Sequence, residues 1–172
     1  MAEFYVFGNI RRALNFKQKL LNVSYTITLA DGWTLVSGDL SGQSQFDEPQ
    51  NEQFEGFTFE LPFEVALKTT TLCDQPRICL KLCTLDSKGL KQQVAECEVF
   101  MPLDSQYHCM SIPCWGVSRD VVMRAEGPGK PQPGGSVIYQ GDRACLLTDS
   151  AGDLELELQV MSSGLRERGI IV

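Results

Sequence analysis

Side chains able to do chemistry are few in this chain, and their spacing works against it. The one histidine, His108, stands beside Cys109. Neighbours on a strand point to opposite faces, so the two do not make a nucleophile and its base, and His108 reads as a partly exposed strand histidine. The tightest cysteine spacing, Cys79-x-x-x-Cys83, falls on one face of an expected strand. At about 3.3 Å per residue the two thiols stand about 13 Å apart, too far to share a zinc ion. Cys109 and Cys114 flank a proline and fit a metal site no better. The glycine-rich run from Gly127 to Gly135 lacks the G-K-[ST] of a phosphate loop, because Pro131 follows Gly129-Lys130. Calcium at sandwich loop tips needs several carboxylates from two or three loops. Asp31, Asp74, Asp86 and Asp142 would have to converge through topology, and Lys88 stands where a second aspartate near Asp86 would serve. Asp47-Glu48 and the alternating Glu155 and Glu157 read as solvated carboxylates. No catalytic residue, metal or cofactor is expected.

The stretch from Gly32 to Gln50 makes the same point positively. Trp33 heads a short apolar run, Gly38 and Gly42 form a bend, and the neutral amides Gln43 and Gln45 follow, spaced for one face of a strand. Such residues build packing surfaces and turns. The two amides are candidates to satisfy backbone groups at the bend. Trp33 is expected in the core; Trp115, in P-C-W-G, suits either the core or a partner-facing anchor.

These residues must be positioned by strands. Leu21, Val23, Tyr25, Ile27 and Leu29 alternate with polar residues, as do Leu154, Leu156, Leu158 and Val160. Ile78, Leu80 and Leu82 form a third set, and Ala95, Cys97, Val99 and Met101 a fourth. Shorter candidates are Phe4–Phe7, Thr34–Ser37, Phe57–Leu61, Phe63–Leu67, Val137–Tyr139 and Ala144–Thr148. Turn signals separate them, and Asp86-Ser87-Lys88-Gly89 reads as a hairpin with Gly89 free to take positive φ. Nine or ten strands without a long helical period predict an all-β fold, an antiparallel β-sandwich. One short helix is predicted over Ser118–Ala125, capped by Ser118.

The 172 residues suit one domain, drawn over residues 2–161 with a Pro/Gly-rich loop at 126–135 and a tail at 162–172. A net charge of −7, from 15 Lys and Arg against 22 Asp and Glu, excludes a general nucleic-acid binder. Arg11, Arg12, Lys17 and Lys19 form one short basic cluster, either a solvated surface or a patch for lipid or a partner. The N-terminus carries no signal-peptide pattern, and no apolar run reaches the about 18 residues of a membrane helix. Seven cysteines, an odd number, are expected as reduced thiols in the cytosol.

In order along the chain stand Val6-x-Gly8-x-Ile10, Trp33-x-Leu35-x-Ser37-Gly38 and Gly42-Gln43-Ser44-Gln45. Pro76-Arg77, Asp86-Ser87-x-Gly89, Pro102, Cys114-Trp115 and Ile138-Tyr139 follow. With this set the chain resembles the B9 domain family, small β-sandwich proteins of the ciliary transition zone distantly related to C2 domains. It departs from the family pattern at Lys88 and Leu90, where an aromatic and an arginine are usual, and at Ala95-Glu96-Cys97, in place of Gly-Tyr-Gly. The resemblance implies a C2-like sandwich without a calcium-ligand set, and a non-enzymatic scaffold subunit at the ciliary base. It implies hetero-oligomeric partners among the B9 proteins, the first B9-domain protein and the larger member linked to Meckel syndrome. A peripheral phospholipid-binding module, independent of calcium, is the alternative.

Overall fold

The two cleanest alternations of the sequence lie in different layers of the fold. A computed structural model describes residues 1–49, 56–117 and 148–165, and contains nine strands among them. These are β1 (Ala2–Leu14), β2 (Asn22–Thr28), β3 (Trp33–Gly38), β4 (Ser41–Gln43) and β5 (Phe57–Thr69). They continue with β6 (Arg77–Leu85), β7 (Lys91–Phe100), β8 (Tyr107–Val117) and β9 (Thr148–Ser163). The hydrogen-bonded order is β3-β5-β1-β9-β8-β7-β6-β2-β4, antiparallel throughout.

The order is continuous on paper but divided in space. β7 and β8 are paired at one position, Glu96 with Trp115. At that seam the sheet curls over itself, and its two parts face each other across the core. β3, β5, β1, β9 and β8 form one layer; β7, β6, β2 and β4 form the other. The rings of Tyr25 in β2 and Phe63 in β5 meet across the gap, 4.8 Å apart between centroids. The inner face of β9 is Leu154, Leu156, Leu158 and Val160, all fully buried. It packs beside Phe4, Val6 and Ile10 of β1, and the opposite layer supplies Val23, Ile27, Ile78, Leu80 and Leu82. Alternation thus predicts both the strands and the faces they bury.

Several expectations change in detail. Phe57–Leu61 and Phe63–Leu67 are one strand, β5, with Pro62 in its middle. β3 pairs only with Val65–Thr69, so at Pro62 the strand has β1 on one side and no paired strand on the other among the described residues, a position where proline is tolerated. Just before it, Glu60 takes a φ of +43° beside a bulge that shifts β1 between Ile10 and Arg12. The tail drawn from residue 162 begins inside the sheet, because β9 runs to Ser163 and Leu165 is buried. The helix over Ser118–Ala125, the loop at 126–135 and the candidate strand Val137–Tyr139 lie outside the described residues. So does Ala144–Thr148 except for Thr148, which opens β9.

Candidate functional site

Several of the motif residues pack in the core or at turns. Gly8 in β1 lies under the ring of Phe63, and a Cβ there would overlap that ring. Gly42 in β4 lies against Tyr25, whose Cε1 would stand 2.6 Å from an added Cβ. The two glycines therefore bracket the Phe63–Tyr25 stack that bridges the layers, one from each side. Trp33 is in the core as expected: its ring lies 5.1 Å from Phe4, and its indole N–H donates to the Asp74 carbonyl at 2.7 Å. Gly38, at φ +96°, brings the backbone against that of Glu64, a position closed to any side chain. Pro76 is buried at the entry to β6, and its carbonyl accepts from the Met101 N–H at 2.9 Å.

The Asp86–Gly89 hairpin forms as predicted. Gly89 has φ +76°, and Asp86 Oδ1 accepts from the N–H groups of Lys88 and Leu90, each at 2.8 Å. Trp115 is half-buried at the seam, where it pairs with Glu96, the middle residue of the departing Ala95-Glu96-Cys97 triplet. Ala95 and Cys97 on either side point into the core.

The role expected of the two amides falls to a neighbour. β4 ends at Gln43, and both Gln43 and Gln45 are exposed. Gln43 Oε1 accepts from Lys91 Nζ at 3.3 Å rather than from the backbone. Ser44 serves the bend: its Oγ accepts from Val23 N–H at 3.0 Å and donates to the Gln45 carbonyl, and its carbonyl accepts from the buried Asn22 amide at 2.9 Å.

The basic cluster divides. Arg11 and Arg12 lie at the β1 bulge on the outer face of the first layer. Arg11 reaches Glu157 at 3.0 Å and Glu60 at 3.5 Å; Arg12 reaches Glu155 at 2.5 Å. Lys17 and Lys19 sit on the exposed connection to β2. Glu155 and Glu157 are thus ion-pair partners rather than simply solvated carboxylates. The hydrogen bond from Arg12 holds the Glu155 carboxyl below its ordinary value of 4.5.

His108 is directed inward at the start of β8, and its Nε2 is 3.4 Å from Asp104 Oδ1 without the alignment of a hydrogen bond. The buried thiol of Cys97 is pushed up, first by its hydrogen bond with Cys114 and then by burial. Burial likewise raises Cys79 and Cys83, which keeps these thiols protonated and poor nucleophiles. Among the described residues no three His, Cys, Asp or Glu side chains group as a metal site. An open depression of about 520 Å³ does bring Asp31 and Asp74 to one rim, beside Arg77, Glu98 and Phe100. Arg77 is engaged there, to Glu98 at 3.1 Å and over the Phe100 ring at 5.1 Å.

Sequence patterning overlooked one surface. The outer face of the first layer runs in rows across its strands. Ala66, Tyr5 and Met161 stand side by side in one, and Glu64, Phe7, Gln159 and Tyr107 in the next. Tyr5, Phe7, Met161 and Tyr107 are 42%, 44%, 47% and 56% exposed, a cluster of large apolar side chains open to water. The signal was present in Phe4-Tyr5-Val6-Phe7, which is apolar on both faces of a strand with only one face in the core.

Curled antiparallel layers of this kind define a C2-like β-sandwich. The C2A domain of plant Extended Synaptotagmin 1 shares the architecture, with a TM-score of 0.52 over 91% of this chain and 92% of that one at 8% identity. A family profile described as "Ciliary basal body-associated, B9 protein" matches residues 4–161. The cattle (Bos taurus) B9 domain-containing protein 2 is 32% identical over 166 residues, 94% of each chain. The human (Homo sapiens) and Xenopus laevis proteins of that name are 30% and 28% identical, covering 98–99% of each chain. The chain belongs to the B9 family of ciliary basal body-associated proteins.

Proposed function

We propose that this chain is a non-enzymatic assembly subunit of the transition-zone complex at the ciliary base. It binds other B9-domain proteins there, the first B9-domain protein and the larger Meckel-syndrome member, as a hetero-oligomer. In that role it serves cilium formation and the gating of ciliary membrane proteins, in the cytoplasm at the ciliary base. The observation that carries the reading is a family match from residue 4 to residue 161, with relatives aligned over nearly their whole length. Residues 2–161, together with the end of β9 beyond them, act as one domain in this reading. Several motif residues support it by fixing a shape: Gly8 and Gly42 flank the stack between the layers, and Trp33 and Pro76 are buried within them.

Co-expression of the full chain with those two B9-domain proteins from the same organism tests it. A stable heteromer on size exclusion with light scattering is the expected result, together with accumulation of tagged protein at the base of cilia. Separate elution of all three overturns it. Direct, calcium-independent phospholipid contact rests on the C2-like fold and on Lys17 and Lys19. Arg11 and Arg12 are already committed to carboxylates and add little to it. Flotation with anionic vesicles separates the two readings.

A further inference from the structure

The apolar rows of the outer face have a distinctive charge setting. Above them Lys68 is bound to Glu3 at 2.9 Å. Below them Arg11 and Arg12 are bound to Glu157 and Glu155. Among the described residues, every cation of this face already holds a carboxylate of the same face. Glu64 is left over: it is exposed, stands directly opposite Phe7 on β5, and has no ion-pair partner among the described residues.

We infer that Tyr5, Phe7, Tyr107 and Met161, with Glu64 at their margin, form the docking surface for a protein partner that presents apolar side chains and a lysine or arginine opposite Glu64. The inference rests on the assembly reading above and specifies where on the chain assembly occurs. Large aromatic and methionine side chains are the residue types that carry interface cores, and Tyr in particular concentrates binding energy. The charge left on the face sets the partner's sign, because a cation approaching Glu64 is attracted and a second carboxylate is repelled.

The same charge setting selects against other occupants. An anionic bilayer is held by free lysines and arginines, and the described part of this face has none to offer. A second copy would meet the patch with the same patch in a two-fold contact. That brings another leftover Glu64 to an acidic margin with no free cation to answer it.

Three variants test the surface: Phe7→Asp and Glu64→Arg on the patch, and Lys81→Glu on the exposed face of β6 in the other layer. The probes are the first B9-domain protein and the Meckel-syndrome member, co-expressed with the full chain. Both patch variants are expected to weaken the heteromer by about tenfold or more, and Lys81→Glu to leave it unchanged. All three should melt close to the parent. Parent and patch variants assembling equally well overturns the surface and leaves the assembly reading standing. A parent that forms no heteromer removes both. A parent that is dimeric alone and split by Phe7→Asp assigns the patch to a second copy, against the proposal. Capture by phosphatidylserine vesicles that Phe7→Asp abolishes assigns it to lipid, also against it. A large fall in melting temperature for Phe7→Asp would mean that the chain itself covers the face, which overturns the proposal too.

Discussion

One strand, β1, carries two outer surfaces of opposite character. Its first half presents Tyr5 and Phe7 beside Met161 and Tyr107, apolar and open to water. Its second half presents Arg11 and Arg12, each clasped by carboxylates from β9, with Glu60 of β5 as well. The boundary is the bulge between Ile10 and Arg12, where β1 slips by a residue and turns consecutive arginines outward. Both cations of the charged half are engaged within the chain, by three carboxylates. The apolar half is only partly covered by the fold, and about half of each large side chain stays open to water. Both halves share the same inner face, so the contrast arises on the surface and not from a difference in core support.

The contrast can be broken from below or sharpened from above. Leu158→Ala removes a fully buried side chain from the face under both halves, and is expected to cost about 2–5 kcal/mol in urea denaturation. Gly8→Ala drives a methyl into the Phe63 ring, which its stack on Tyr25 holds in place, and should cost about 1–3 kcal/mol. If Gly8→Ala is silent, the glycine-bracketed stack does not fix the layers.

Arg12→Gln acts on the charged half alone and should lower the melting temperature slightly. Its effect depends on pH with a definite sign. Glu155 has a lowered carboxyl pKa, so its contribution is complete above about pH 4.5 and is lost as pH falls through the lower folded value. The gap between variant and parent should therefore close in melts taken at successively lower pH below about 4.5. A gap that widens there would mean that the Arg12–Glu155 pair is not its source. Phe7→Ser acts on the apolar half and should change the stability of the isolated chain least, within about 0.5 kcal/mol. A larger loss would erase the distinction between the halves.

Period-two patterning was a reliable guide wherever a strand has one wet face. Leu154 to Val160 shows it best, because every second side chain there is fully buried and every other one is not. The Asp86–Gly89 hairpin was equally legible, since a left-handed residue and an aspartate that caps its own turn are local chemistry. Pro62 misled because a proline looks like a break; whether it is one depends on where a neighbouring strand stops. Gln43 and Gln45 misled for a similar reason. An amide is able to satisfy the bend, but Ser44 is the side chain that points at it.

By itself the sequence determined the all-β class, most strand faces and, through its ordered motifs, the family. Those properties follow from local spacing and residue type. Tertiary structure alone decided which charges cancel and which apolar side chains remain uncovered. Arg11 is separated from Glu157 by 146 positions in the chain, and Tyr5 meets Met161 only because β1 and β9 are paired in one register. Ion pairing and exposure depend on distances across strands, and a linear pattern does not contain those distances.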